Sequence, residues 1–290
     1  MTAAGRYARA GCGGADPCAP DRNSREDSTM KTDLQGVVAL VSGASKSIGL
    51  ACARALAREG ATVVGVSRSA ANLEAARARL AAEGLAMHVR AADLVDAAAA
   101  AQVVADVERE VGPIGVLVNS AGAAKRYAVD ELDAAAFRQA MDAKYFTYVH
   151  LMEPVARAMA ARGRGSIVNV IGQGGRQAGV LHVAGGAANS ALMLATVGLA
   201  RAYADRGVRV NAINPGLTRT SRVDEGLQAA SRASGRPKDE LLAEQTRAIP
   251  MGRMGEPEEV ANVAVFLASG LASYVSGAII PMDGCSASVI

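Results

Sequence analysis

Val37-Val38-Ala39-Leu40-Val41 runs directly into Ser42-Gly43-Ala44-Ser45-Lys46-Ser47-Ile48-Gly49, after which Leu50, Ala53, Leu56 and Ala57 recur on one helical face. Five consecutive apolar residues read as a strand buried on both sides. The run rich in Gly and Ser reads as a tight turn, and the spacing beyond it as an amphipathic helix. The same unit returns along the chain. Ala61 to Val66, Ala86 to Val89, Val116 to Val118, Ser166 to Ile171 and Val208 to Ile213 are further apolar strands. Helical patterns at Asn72 to Glu83, Asp96 to Glu110, Phe137 to Arg162 and Ala187 to Arg206 separate them. Strands this apolar must be covered on both faces, which predicts a doubly wound α/β fold with a parallel sheet. Ligands of such sheets bind at the carboxyl ends of the strands, where strand order reverses. The loops after the strands are therefore where function is to be read.

Composition narrows the classes. The chain has 290 residues, 50% hydrophobic and 20% charged, enough for a full-sized core and too apolar for a disordered protein. A net charge of +3 and an aromatic share of 3% give neither a phosphate-binding surface nor base-stacking platforms, so nucleic acid is not an expected partner. Cys12, Cys18, Cys52 and Cys285 have neither disulfide-framework nor zinc-finger spacing. They read as reduced thiols of a cytoplasmic protein with no metal site. No uncharged apolar run of about 18 residues suggests a membrane span. Residues 1–33 read as a disordered polar leader ahead of a single domain at 34–290, with Met30 as a candidate natural start.

The motifs in those loops resemble the short-chain dehydrogenase/reductase family. Ser42-Gly43, Ser47, Ile48 and Gly49 are similar to its TGxxxGIG turn, with Ser for Thr and for the middle glycine. Asp93-Leu94, Asn119-Ser120-Ala121-Gly122 in place of NNAG, and Asn214-Pro215-Gly216 with Thr218 and Thr220 follow in order. The stretch Gly252 to Ala261 and the pair Asp283-Gly284 complete a likeness covering about Leu34 to Gly284. The resemblance implies a Rossmann fold that binds a nicotinamide dinucleotide and transfers hydride to or from a small carbonyl or alcohol. Gly43, Ser45, Lys46, Ser47, Ile48 and Gly49 would cradle the pyrophosphate at a helix N-terminus. Asp93 and Leu94 would lie near the adenine. Asn119, Ala121 and Gly122 would brace the nucleotide, and Pro215, Gly216, Thr218 and Thr220 would flank the nicotinamide. Asn119 also reads as a residue tying strands together. At the end of the second strand Val66-Ser67-Arg68-Ser69 offers no acid for a ribose hydroxyl. Arg68, with Lys46, instead suits a 2′-phosphate, so NADP(H) is expected over NAD(H).

The family's proton-transfer residues have no obvious counterparts. Anchoring on flanking text puts Gly172 at the Ser position, Gly185 and Asn189 at the Tyr and Lys positions of YxxxK, and Lys144 at the Asn position. No Tyr lies between Tyr148 and Tyr203 to restore the motif by a shift. Lys at 144 and Asn at 189 exchange the family's residues, so Lys144 is the first candidate to return an ammonium to the site. It would bind ribose or act as a general acid; otherwise it is a solvated lysine left by drift. His182 is a second candidate acid, or a loop histidine with a structural role. The expected function is an NADP(H)-dependent oxidoreductase with a nonstandard proton donor; the alternative is a catalytically silent NADP(H) sensor or partner of an active homologue. Residues 221–250 match the family's substrate lid, with a helix at Lys238 to Arg247. The two long helices are the expected contact of a homotetramer or homodimer.

Overall fold

The computed structural model describes residues 31–122 and 124–287, and the chain from Lys31 onward forms one compact unit. The readings of residues 1–30 as a leader, of Met30 as the start, and of Cys12 and Cys18 as thiols lie outside the described residues.

Seven parallel strands form one sheet in the order β3-β2-β1-β4-β5-β6-β7. They are β1 (Val38–Ser42), β2 (Thr62–Ser67), β3 (His88–Ala91), β4 (Ile114–Asn119), β5 (Gly165–Val170), β6 (Val208–Pro215) and β7 (Ile279–Met282). The helices are α1 (Ser47–Arg58), α2 (Ala70–Ala82), α3 (Ala97–Glu110), α4 (Ala134–Ala140), α5 (Thr147–Ala161), α6 (Val183–Tyr203), α7 (Ser221–Ser234), α8 (Lys238–Arg247) and α9 (Pro257–Ala268). The doubly wound reading of the sequence is the observed fold. Strand side chains alternate between two cores, as the period of two requires. Ala39 and Val41 of β1 pack with Leu56 of α1 and Ala264 of α9, whereas Val38 and Leu40 face Val104 of α3, Leu151 of α5 and Leu192 of α6.

Local chemistry sets the helix starts. Asp96, read from sequence as the first residue of α3, is its cap: its carboxylate accepts from the N–H groups of Ala98 and Ala99 at 2.8 and 3.2 Å. The predicted helix over Phe137 to Arg162 is three segments, because Met141–Phe146 open into a π-helical turn between α4 and α5. α6 begins at Val183, earlier than the sequence reading, which makes His182 its N-cap and puts Gly185 inside it. The seventh strand and the helices α7 and α9 lie outside the elements expected from the sequence. The segment Val183–Arg206 is long and apolar enough by length and composition to cross a membrane, but half of its most apolar window is buried in the fold against the sheet. Its burial gives the reason for its composition: it is a core helix packed on the sheet.

β1 pairs with β2 on one side and β4 on the other, so the chain reverses its winding there. The loops leaving β1 and β4 diverge at that point and open a cleft.

Candidate functional site

The cleft has a volume of about 900 Å³ and receives residues from the ends of β1, β2, β3, β4, β5 and β6. Gly43, Ser45, Lys46, Ser47, Ile48 and Gly49 form its floor at the start of α1. The turn is compact because its glycines allow no alternative. A Cβ on Gly49 would stand 2.2 Å from the Gly43 carbonyl oxygen, and one on Gly43, whose φ is +71°, would stand 2.8 Å from the Ser120 carbonyl oxygen. Ser47, at the place of the family's middle glycine, has φ 53°, a left-handed conformation that strains a residue with a side chain. The turn thus keeps a glycine conformation without the glycine.

Arg68, Asp93, Leu94, Ala121, Gly122, Pro215, Gly216, Thr218 and Thr220 also line the cleft. Arg68 and Lys46 are exposed at its β2 end, and neither forms an ion pair among the described residues. Asn119 does not line the cleft. It is fully buried beneath it, accepting from Ser42 Oγ at 3.4 Å and donating to Asn169 Oδ1 at 3.0 Å. Asn169 in turn donates to Thr196 Oγ1 at 3.0 Å, so this polar chain ties β1, β4, β5 and α6 together. Ser42 Oγ also accepts from the backbone N–H groups of Ser120 and Ala121, both at 3.1 Å, which pins the loop after β4.

At the other end the cleft meets β5, the start of α6 and the lid. Lys144, Gly172, His182 and Asn189 come together there, whereas Gly185 lies behind the wall. Lys144 is 8% exposed, the one buried residue of the π-helical turn. This overturns the solvated reading: its Nζ donates to Tyr148 Oη at 2.7 Å and to the Val170 carbonyl at 3.1 Å. Burial, and then the charge of Arg222, push its pKa down to about 7. Tyr148 was not a sequence candidate, although its spacing of four residues after Lys144 is the signal that could have found it. Its hydroxyl donates onward to the Val170 carbonyl and burial raises its pKa, so it positions Lys144 from behind.

The imidazole of His182 fills the space that Gly185 leaves. A Cβ on Gly185 would lie 2.1 Å from His182 Cε1, and one on Gly174 would lie 2.9 Å from its Cδ2. The two glycines form a slot for the ring. Its Nδ1 is buried without a hydrogen-bond partner among the described residues. Burial first, then the charges of Arg126, Arg222 and Lys144, push the His182 pKa down to about 4, so the ring is neutral at neutral pH. A Cβ on Gly172 would lie 3.4 Å from Asn189 Nδ2, so the Asn189 amide covers that glycine. His150, by contrast, serves packing: its ring stacks on Phe146 and Nδ1 meets the Leu94 carbonyl at 3.0 Å.

A glycine turn at a helix N-terminus, under the reversal point of a parallel sheet, defines the class of dinucleotide-binding α/β proteins. Comparison with known proteins narrows it further. The family profile described as enoyl-(acyl carrier protein) reductase matches residues 43–285. Galactitol 2-dehydrogenase (L-tagatose-forming) of Cereibacter sphaeroides is 39% identical over 253 residues, which cover 87% of this chain and 95% of that one. The crystal structure of L-sorbose reductase from Gluconobacter frateurii, complexed with NADPH and L-sorbose, superposes with a TM-score of 0.82 at 29% identity, covering 90% of this chain and 100% of that one. A gluconate 5-dehydrogenase from Burkholderia cenocepacia J2315, in complex with NADP and tartrate, superposes with a TM-score of 0.80 at 28% identity, covering 90% and 98%. The chain belongs to the short-chain dehydrogenase/reductase family.

Proposed function

We propose that this protein is an NADP(H)-dependent oxidoreductase that interconverts a small carbonyl compound and its alcohol, with Lys144 as the proton donor and acceptor. The observation that carries this reading is the buried Lys144 at the cleft wall, held by Tyr148 and Val170 with a pKa lowered to about 7. An amine that titrates near neutrality serves as acid in one direction and base in the other.

The cleft fits the dinucleotide. Gly43 and Gly49 let the turn close tightly on the neighbouring backbone, and the N-terminus of α1 faces the cleft, where a pyrophosphate would accept hydrogen bonds from its N–H groups. Arg68 and Lys46 suit a 2′-phosphate, and the structures named above were solved with NADPH and NADP. When bound, the nicotinamide supplies or accepts the hydride. In reduction the Lys144 ammonium gives its proton to the carbonyl oxygen, and Tyr148 and the Val170 carbonyl hold the lysine in place before and after transfer. Neutral His182, in the slot beside Gly185, and the Asn189 amide offer hydrogen bonds that orient the same oxygen. On the motif reading that places Gly172, Gly185 and Asn189 at the family's Ser, Tyr and Lys positions, this arrangement would rebuild the site from other elements.

Residues 221–250 act as the lid: α7 and α8 contribute Arg222, Glu225, Gly226 and Gln245 to the cleft wall. We also infer a homo-oligomer, a dimer or tetramer through α5 and α6, since Leu194 and Val197 of α6 are 76% and 42% exposed. Free Cys52 and Cys285 fit a reducing cytoplasm.

Fluorescence titration with NADPH and NADH, followed by NADPH oxidation against ketones, aldehydes and quinones, tests the assignment. Tighter binding of NADPH with turnover is expected. Binding without turnover would favour the sensor reading, and absence of binding would remove the cofactor assignment.

A further inference from the structure

Two guanidinium groups face the substrate end of the cleft. Arg126 lies on the loop after β4 and Arg222 in the first turn of α7, and both line the cleft beside Lys144 and His182. Arg222 has partners: it donates to Glu225 and, through Nη2, to the Ala124 carbonyl at 3.0 Å. Arg126 has neither an ion pair nor a hydrogen bond among the described residues. Its guanidinium rests flat on the lid, because a Cβ on Gly226 would lie 3.2 Å from its Cζ, Nε and Nη2 alike. The absent side chain at 226 is what admits it. Burial against the lid, and then the Arg222 charge, lower the Arg126 pKa, and Arg222 also depresses Lys144 and His182. Like charges gathered at one end of a cleft repel each other unless a ligand supplies the opposite sign. A flat guanidinium fork matches a carboxylate in two hydrogen bonds. With Glu225 counted, the two arginines leave a net charge of one, and a protonated Lys144 adds a second, so this end of the cleft lacks an anion.

Resting on the oxidoreductase reading above, we infer that the substrate is a hydroxy or keto acid whose carboxylate is held by Arg126, with Arg222 beside it, at the mouth of the lid. The glycine turn and Arg68 serve the cofactor at the opposite end, so Arg126 acts on substrate alone.

The test is calorimetric titration of the NADP+-saturated protein with a panel of four- to six-carbon aldonates, their matched alditols and the alditol phosphates. NADP+ binding is measured first in the same preparation. At least one aldonate should bind about tenfold or more tightly than its alditol and than its phosphate, a preference that weakens with added salt. Arg126→Gln should remove that preference and leave NADP+ affinity unchanged. Failure of NADP+ to bind at all would fall on the cofactor reading. NADP+ binding with no aldonate preferred over its alditol would overturn the inference. So would a preference for the phosphate, or an Arg126→Gln protein that keeps the aldonate preference. A loss of NADP+ affinity in Arg126→Gln would reassign the arginine to the cofactor.

Discussion

The two ends of the cleft solve the same problem, recognition, by different means. At the β1–β4 end the work is done by backbone: Gly43 and Gly49 pack so tightly that a Cβ would stand within 2.8 and 2.2 Å of a carbonyl oxygen, and the helix terminus supplies N–H groups. At the β5–α6 end the work is done by side chains, and there Lys144, His182 and Asn189 gather around Gly172 and Gly185. Backbone recognition ties function to glycines at fixed positions, so it stays visible in sequence. Side-chain chemistry needs only an atom at a point in space, and that atom can come from another element.

The largest expected effect lies at the side-chain end. Lys144→Met should lower kcat by about 10²- to 10⁴-fold, the range for loss of a general acid, while NADPH still binds at the other end. The same substitution should not lower the melting temperature. Folding depresses the Lys144 pKa from 10.5 to about 7, so the unfolded chain holds the extra proton between those values. Stability therefore rises with pH through that window, and at lower pH the folded state bears the full cost of the buried charge, which Met removes. Thermal denaturation at several pH values checks this; a uniform loss of stability would mean that Lys144 serves the fold.

Next comes the backbone end. Gly49→Ala drives a methyl into the Gly43 carbonyl, where no flexible side chain can yield. It should cost about 1–3 kcal/mol of stability and more than tenfold in NADPH affinity, read by denaturation and fluorescence titration. Arg68→Ala should weaken NADPH by about tenfold and leave NADH unchanged, since only the 2′-phosphate contact is lost. Equal losses for both would make Arg68 a general electrostatic contributor. The smallest effect tests the turn itself. Ser47→Gly relieves roughly 1–2 kcal/mol of left-handed strain against about 0.5–1 kcal/mol of added chain entropy, so it should raise the melting temperature slightly.

Most of the fold was legible because Val38–Ser42, Thr62–Ser67 and Ile114–Asn119 are valine-rich strands largely buried on both faces, and α8 begins and ends where its sequence pattern does. What escaped lay where the local pattern is weak or irregular. The π-helical turn at Met141–Phe146 interrupts a helix whose periodicity looks continuous, and it is that turn from which Lys144 enters the core. The cofactor-side candidates line one cleft, apart from Asn119, which is buried at the end of β4 and hydrogen-bonds across the strands. The placing of His182 over Gly185 was not legible, because it depends on α6 starting at Val183 and on the slot that Gly174 completes. Arg126 and Arg222 were missed for a similar reason: they lie 96 positions apart and meet only when the lid packs over the loop after β4.

The most direct test is the pH dependence of NADPH oxidation by the wild-type protein with a carbonyl substrate, beside Lys144→Met at the same cofactor saturation. Wild-type reduction should fall as pH rises through about 7, where the ammonium is lost, and alcohol oxidation should rise through the same range. Lys144→Met should bind NADPH yet lack this titration and nearly all turnover. A variant as active as the wild type, or a wild-type rate that does not change across that range, would contradict Lys144 as the group that moves the proton.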